Sequence, residues 1–395
     1  MLSVGHAPSR DEWLLLMDHS EEAPSPRVRL VEALPVKLWG LDLSEWQTRF
    51  WKKLGADGVD SDGTLMVGSD WVLSPALAKQ LLASPGAALI VREENLGQER
   101  VAVIHANNQS DADAQQSQIN TINPDYDALK AVGLVPGYMD DFVGDYDKAL
   151  RKREAPYAMS LFTHTPATIE QRLFKGAYKG VTDIVTKYAW PEPALHVTRL
   201  CANLKLTPNM VTTASLILVC LAFYYFWIGA WIPGILVGWA MTFLDTVDGK
   251  LARTTMTYSS WGNIYDHGID LIHPPFWYWA MYTGLLATGV VHPWLWPALV
   301  IILIGYVVGR VAEGIFLRAF GFHIHVWRPI DAFMREITAR RNPNLLIFMV
   351  LALFGAPEWG LILVAAWTAI CVPFHIVRLA MAFATKAPVK SFMDN

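Results

Sequence analysis

The density of long apolar runs beyond residue 207, rich in Trp, Tyr, Leu and Ile, limits this chain more than any other feature. A helix needs about 20 apolar residues to cross a bilayer. Runs of that order recur at 209–229, 231–248, 263–289, 294–318, 343–357 and 359–383. They predict an all-α, six-helix transmembrane bundle. The fifth run is short, and Asn342-Pro343 blurs its start. The first 200 residues instead carry most of the charge and the Asn/Gln/Ser-rich stretches. We therefore divide the 395 residues into a soluble α/β domain over 1–155, a linker and surface helix over 156–206, a membrane domain over 207–385 and a tail over 386–395.

Loop charges set the expected orientation. Lys205, Lys250, Arg253, Arg318, Arg328, Arg335, Arg340, Arg341, Lys386 and Lys390 fall on one side of the bundle. The connections near 230, 290 and 358 hold no Lys or Arg. The positive-inside rule puts the basic side, with both termini, in the cytosol of a plasma or inner membrane. Asp11, Glu12, Asp18, Glu21 and Glu22 make the first 25 residues unlike a signal peptide. Three cysteines, all in or beside apolar runs, argue against a disulfide framework. A net charge of -4 points to no nucleic-acid partner.

Four carboxylates sit where a membrane helix can least tolerate them. Asp245 and Asp248 fall at the cytosolic end of the second run, Asp266 and Asp270 at that of the third. Carboxylates at membrane depth are expensive and mark ion or substrate work. On a helix, residues three or four apart share a face, so each pair presents two carboxylates together. The short link 254–262 makes the two helices antiparallel neighbours. Like charges brought together need cations among them. Oxygen donors without a His or Cys cluster favour Mg²⁺, Mn²⁺ or Ca²⁺ over zinc. Two such ions can bridge a pyrophosphate and stabilise its leaving oxygen. Gly249 and Ala252 admit a nucleotide close to the helix, and Arg253 offers a fork for phosphate.

The stretch from Asp245 to Asp270 reads D-x2-D-G-x2-A-R-x8-G-x3-D-x3-D and resembles the CDP-alcohol phosphotransferase family at all eight fixed positions. The resemblance covers roughly residues 190–385. It implies Asp245, Asp248 and Asp266 as ligands of two Mg²⁺ or Mn²⁺ ions, with Asp270 as general base that also touches metal. It implies Gly249, Ala252, Arg253 and Gly262, beside Asp248, as the cradle of the CDP moiety. Thr207-Pro208-Asn209-Met210-Val211-Thr212 resembles the family's entry to its first membrane helix and adds Asn209 to the nucleotide site, although a plain helix start with Pro in its first turn explains it equally. Apolar residues interleaved with Lys and Arg over 168–205 predict a helix lying on the membrane surface.

The family's activity is transfer of a phosphoalcohol group from a CDP-linked donor to an alcohol acceptor, with release of CMP. Its partners here are CDP-diacylglycerol or a CDP-linked polar alcohol, an acceptor alcohol, membrane lipid and a second copy of the chain. Arg310 and Glu313 resemble an Arg-x-x-Glu element that meets the acceptor's phosphate, which leans toward an inositol or glycerol phosphate. Arg318, His323, His325, Arg328, Arg335, Arg340 and Arg341 form a basic cluster nearby, read one by one as ordinary cytosolic loop charge. His267 and His273 match no ligand pattern and are assigned to packing.

Residues 1–155 alternate short apolar runs (13–17, 99–104) with helical stretches (43–55, 75–84). The segments 46–58, 66–70 and 75–83 resemble sugar-nucleotidyltransferase domains. Such enzymes need a Gly-rich loop after the first strand to hold a triphosphate. None occurs between Met1 and Leu41, so the domain is expected to be inactive. The polar stretch 107–128 reads as a loop. Two competing readings are a bifunctional cytidylyltransferase–phosphotransferase and a divalent-metal transporter. Almost purely apolar non-cytosolic halves of the spans disfavour transport.

Overall fold

The computed structural model describes residues 26–32, 34–143, 146–147 and 150–394. The apolar run 13–17 and the acidic first 25 residues lie outside them. Contacts group the chain into two compact units. One comprises Met1–Asp147, Arg153–Ala177 and Thr254–Met256; the other comprises Lys148–Lys152, Tyr178–Arg253 and Thr257–Asn395.

The first unit is α/β. Its sheet joins β1 (Arg27–Val31), β2 (Gly58–Val59), β3 (Leu65–Gly68), β4 (Ala87–Glu93), β5 (Gln98–His105) and β6 (Val135–Gly137) in the order β2-β1-β3-β5-β4-β6. β1 runs parallel to β2 and β3, β4 parallel to β6, and β5 antiparallel to both β3 and β4. All of β3 and residues 100–105 of β5 are buried, as strands covered on both faces require. Helix α1 (Leu43–Leu54) buries Leu43, Trp46, Gln47, Phe50 and Trp51 at helical spacing, and Gly55 ends it at φ 107°. Helix α2 (Pro75–Leu82) also follows the sequence expectation.

The expected loop 107–128 instead contains two short helices, Gln109–Gln115 and Tyr126–Ala131. Its turn-forming residues are helix caps. Asn108 accepts from the Asp111 N–H at 2.9 Å, and Asp125 from the Asp127 N–H at 2.9 Å. Gly40, at φ 71°, serves the tight turn between the paired strands Lys37–Leu38 and Leu41–Asp42.

The second unit is helical: α3 (Pro191–Asn203), α4 (Pro208–Trp227), α5 (Trp231–Thr254), α6 (Ser260–Ala287), α7 (Leu295–Phe320), α8 (Arg341–Leu353) and α9 (Pro357–Ala384). Helices α4 to α9 fall on the six apolar runs. Among the described residues three of them, α4, α7 and α9, are long and apolar enough to cross a membrane. α5 and α6 are long but carry the aspartates, and α8, at 13 residues, spans only about 20 Å. Pro343 does not delay α8, because the first turn of a helix tolerates proline. The expected surface helix 168–205 is broken into Pro166–Gly176, Ile184–Tyr188 and α3, with Gly180 and Pro191 at the gaps.

The helical core centres on Phe226, Trp277, Phe348 and Leu361, all at most 3 % exposed. The Trp277 indole donates to the Val219 carbonyl at 3.0 Å, tying α6 to α4. Truncating so large a buried ring to alanine costs roughly 3–5 kcal/mol.

Candidate active site

Caps fix where α6, which bears two of the aspartates, and its neighbour α4 begin. Thr207 Oγ1 accepts from the Met210 N–H at 3.3 Å and starts α4. Ser259 Oγ accepts from the Gly262 N–H at 3.0 Å and starts α6. Asp266 and Asp270 then stand one turn apart on α6, facing Asp245 of α5. One oxygen from each of these three carboxylates lies within 4.8 Å of the others.

Asp248 is placed differently. It is 3 % exposed, its Oδ2 accepts from Thr212 Oγ1 at 2.5 Å, and its buried Oδ1 has no hydrogen-bond partner. An orphaned, buried carboxylate oxygen beside a three-carboxylate cluster fits a divalent cation, as does the all-oxygen donor set.

Close approach explains two glycines. A Cβ on Gly249 would meet Arg253 Nη2 at 3.0 Å, and one on Gly262 would meet Asn209 Oδ1 at 3.0 Å. Arg253 thus packs against Gly249, and Asn209 against Gly262. Ala252 lies on α5 beside Arg253, half-buried.

Asp245, Asp266 and Asp270 line a cavity of about 670 Å³ whose wall also holds Gly249, Arg253, Arg310 and Glu313. Five residues read from sequence as loop charge belong to it too: His323, His325, Arg335, Arg340 and Arg341. Arg341 donates from Nη2 to Asp245 Oδ2 and from Nη1 to Asp270 Oδ1, both at 2.5 Å. Arg340 donates to Glu313 at 2.5 Å, and Arg310 pairs with Glu313 at 3.5 Å. Arg335 differs from both, because its Nε and Nη1 are buried without a hydrogen-bond partner. Burial, then the neighbouring Arg340 charge, push Arg335 down to about 9. In contrast, Arg318 is exposed on α7 and Arg328 caps the helix Pro329–Ile337.

Residues of the segment before the bundle enter the cavity as well. Lys179 is pushed down to about 8 by burial and then by the nearby Arg151 and Arg253 charges. Burial raises Asp183, but Arg335 and hydrogen bonds from Thr186 and Asn342 more than offset it, holding the carboxyl below its usual range. Burial pushes His323 to about 4 and His325 to about 3, so both are neutral near pH 7. Eight basic residues against five carboxylates line the wall, a balance that suits an anionic ligand.

His273 is a packing residue, at 4.9 Å from Trp277 and donating from Nδ1 to the Ile269 carbonyl. His267 is not: it is exposed, lines the cavity and pairs with Asp266 at 3.6 Å.

Residues 205–374 match the model of the CDP-alcohol phosphatidyltransferase family. The C-terminal part of the chain is a CDP-alcohol phosphatidyltransferase domain. The archaetidylinositol phosphate synthase of Pyrococcus horikoshii is 27% identical over 187 residues, covering 44% of this chain and 84% of the relative. A solved phosphatidylinositol phosphate synthase of Mycobacterium tuberculosis, with CDP-DAG bound, aligns at TM-score 0.40 and 18% identity, over 51% of this chain and 98% of that one. The same enzyme in complex with manganese and citrate aligns at TM-score 0.39 and 19% identity, over 50% and 93%. The transferase domain thus accounts for every aspartate of the cluster, and residues before 205 lie outside the match.

Proposed function

We propose that the chain is an integral-membrane transferase that moves a phosphoalcohol group from a CDP-linked lipid donor to a phosphorylated polar alcohol, releasing CMP. The observation that carries this reading is one cavity lined by the three-carboxylate cluster and by Arg335, whose buried Nε and Nη1 have no hydrogen-bond partner. An acceptor phosphate supplies the missing anion. The Pyrococcus relative, a synthase of a phosphorylated inositol lipid by its name, supports the same acceptor class.

Asp245, Asp248 and Asp266, with Asp270 also touching metal, would hold two divalent ions, Mg²⁺ or Mn²⁺, which when bound would neutralise the pyrophosphate and the departing CMP. Arg253 and the side-chain-free backbone at Gly249 and Gly262 hold the CDP end. Arg310, Arg335, Arg340 and Lys179 orient the acceptor through its phosphate. Asp270 takes the proton from the acceptor hydroxyl. That oxygen attacks the β-phosphorus, and the bond from the β-phosphorus to the bridging oxygen breaks, leaving CMP. The basic loops favour the cytosolic membrane face for this site, and the exposed Ile264, Ile272 and Phe276 on α6 leave an apolar surface for lipid or a second copy.

The α/β unit reads as an inactive nucleotidyltransferase-like fold. Asp70, just beyond β3, is engaged by Arg100 at 3.1 Å and Ser160 at 2.7 Å. The test is CMP release by purified protein with Mn²⁺, CDP-diacylglycerol and a panel of alcohols and their phosphates. CMP release only with a phosphorylated acceptor is expected. No release from any pair, or full release by Asp270→Asn, overturns the reading. CTP consumption by the full chain would overturn the inactivity of the first unit.

A further inference from the structure

We propose that Arg341 is a resident counter-cation of the carboxylate cluster, which a divalent ion must displace from Asp245 and Asp270. The proposal rests on the reading above that this cluster holds divalent metal. Arg341 opens α8, and its side chain is 14% exposed. Its two terminal nitrogens sit 2.5 Å from Asp245 Oδ2 and Asp270 Oδ1. Those carboxylates, with Asp266, are the groups whose oxygens converge within 4.8 Å. A guanidinium and a metal ion therefore compete for the same carboxylates, and between partly buried groups their mutual repulsion is little screened by salt.

The helix turn that follows Arg341 is tied down by two asparagine side chains. Asn342 donates to Asp183 Oδ1 at 3.0 Å, and Asn344 to the Tyr278 hydroxyl at 2.8 Å. Displacement is thus a side-chain swing on a fixed helix start. Without metal, Arg341 keeps two carboxylates from repelling each other and holds them in place. With metal, it is set free within the cavity it already lines. The arrangement preassembles the site and weakens its hold on metal together.

The test is manganese binding to substrate-free protein, read by the EPR signal of free Mn²⁺. Arg341→Gln should bind at least about fivefold more tightly than the unaltered chain, with Arg341→Lys in between. Unchanged or weaker binding by Arg341→Gln overturns the proposal. The unaltered protein gives a second readout that needs no variant. Phenylglyoxal labelling of Arg341, followed by peptide mass spectrometry, should rise several-fold when Mn²⁺ is added; equal or reduced labelling contradicts displacement. Neither readout uses CMP release, so failure here leaves the proposed transferase reaction standing. Absence of any Mn²⁺ binding that depends on Asp266 would overturn the metal reading itself.

Discussion

Each unit contains buried arginines among carboxylates, yet the two sets are built to different ends. In the α/β unit Arg100 is enclosed, with Trp71 and Phe162 at 4.9 and 5.1 Å from its guanidinium. Its Nη atoms reach Asp70, Glu93, Ser160 and Asn120, all between 2.9 and 3.3 Å. In the helical unit Arg335 has two buried nitrogens without a partner, in the wall of an open cavity. A buried cation with its partners in place is structural. One with donors left unmet is open to an anion from outside. Burial alone therefore says little about an arginine's role; what its donors meet says more.

The comparison can be broken by four experiments. Asp270→Asn removes the proton acceptor and should lower kcat by about 10³-fold while the protein still folds, checked by CMP release and circular dichroism. Arg335→Gln should raise the KM for a phosphorylated acceptor roughly 10- to 100-fold, the loss of charge-assisted hydrogen bonds, with little change in Tm. Arg100→Ala should do the reverse: about 3–5 kcal/mol of stability lost, seen as a lower Tm, because it leaves Asp70 and Glu93 buried without their cation. Below its melting point its acceptor KM should not move. If Arg100→Ala raised KM, or Arg335→Gln lowered Tm as much, the contrast between the two sets would fail.

The smallest expected effect concerns pH. Lys179 is protonated below about 8 and loses its charge above it. Acceptor KM should be flat on the acid side of that value and rise a few-fold on the alkaline side. Lys179→Met should remove the alkaline rise. A rise that persists in the variant would assign it to another group.

Much of the site was legible because the chemistry is local in sequence. Asp266 and Asp270 share a helix face through spacing alone, and the apolar runs located α4 to α9, whereas Asp248 turns to Thr212 and away from the three-carboxylate cluster. What escaped depends on tertiary placement. Arg335, Arg340 and Arg341 look like any positive-inside loop until the chain folds them against α5, α6 and α7. Lys179 and Asp183 carried no motif; they flank the break at Gly180 in the expected surface helix and line the cavity. Asn108 and Asp125 were read as loop formers, although the same side chains cap helices.

The central claim is that this cavity selects an acceptor by its phosphate. Its most direct test is the ratio of kcat/KM for an inositol phosphate over inositol, measured by CMP release from CDP-diacylglycerol, in the unaltered enzyme and in Arg335→Gln. The ratio should be about 10² or more in the former and fall at least about tenfold in the latter. A ratio near one in the unaltered enzyme, or one that Arg335→Gln leaves unchanged, would contradict it.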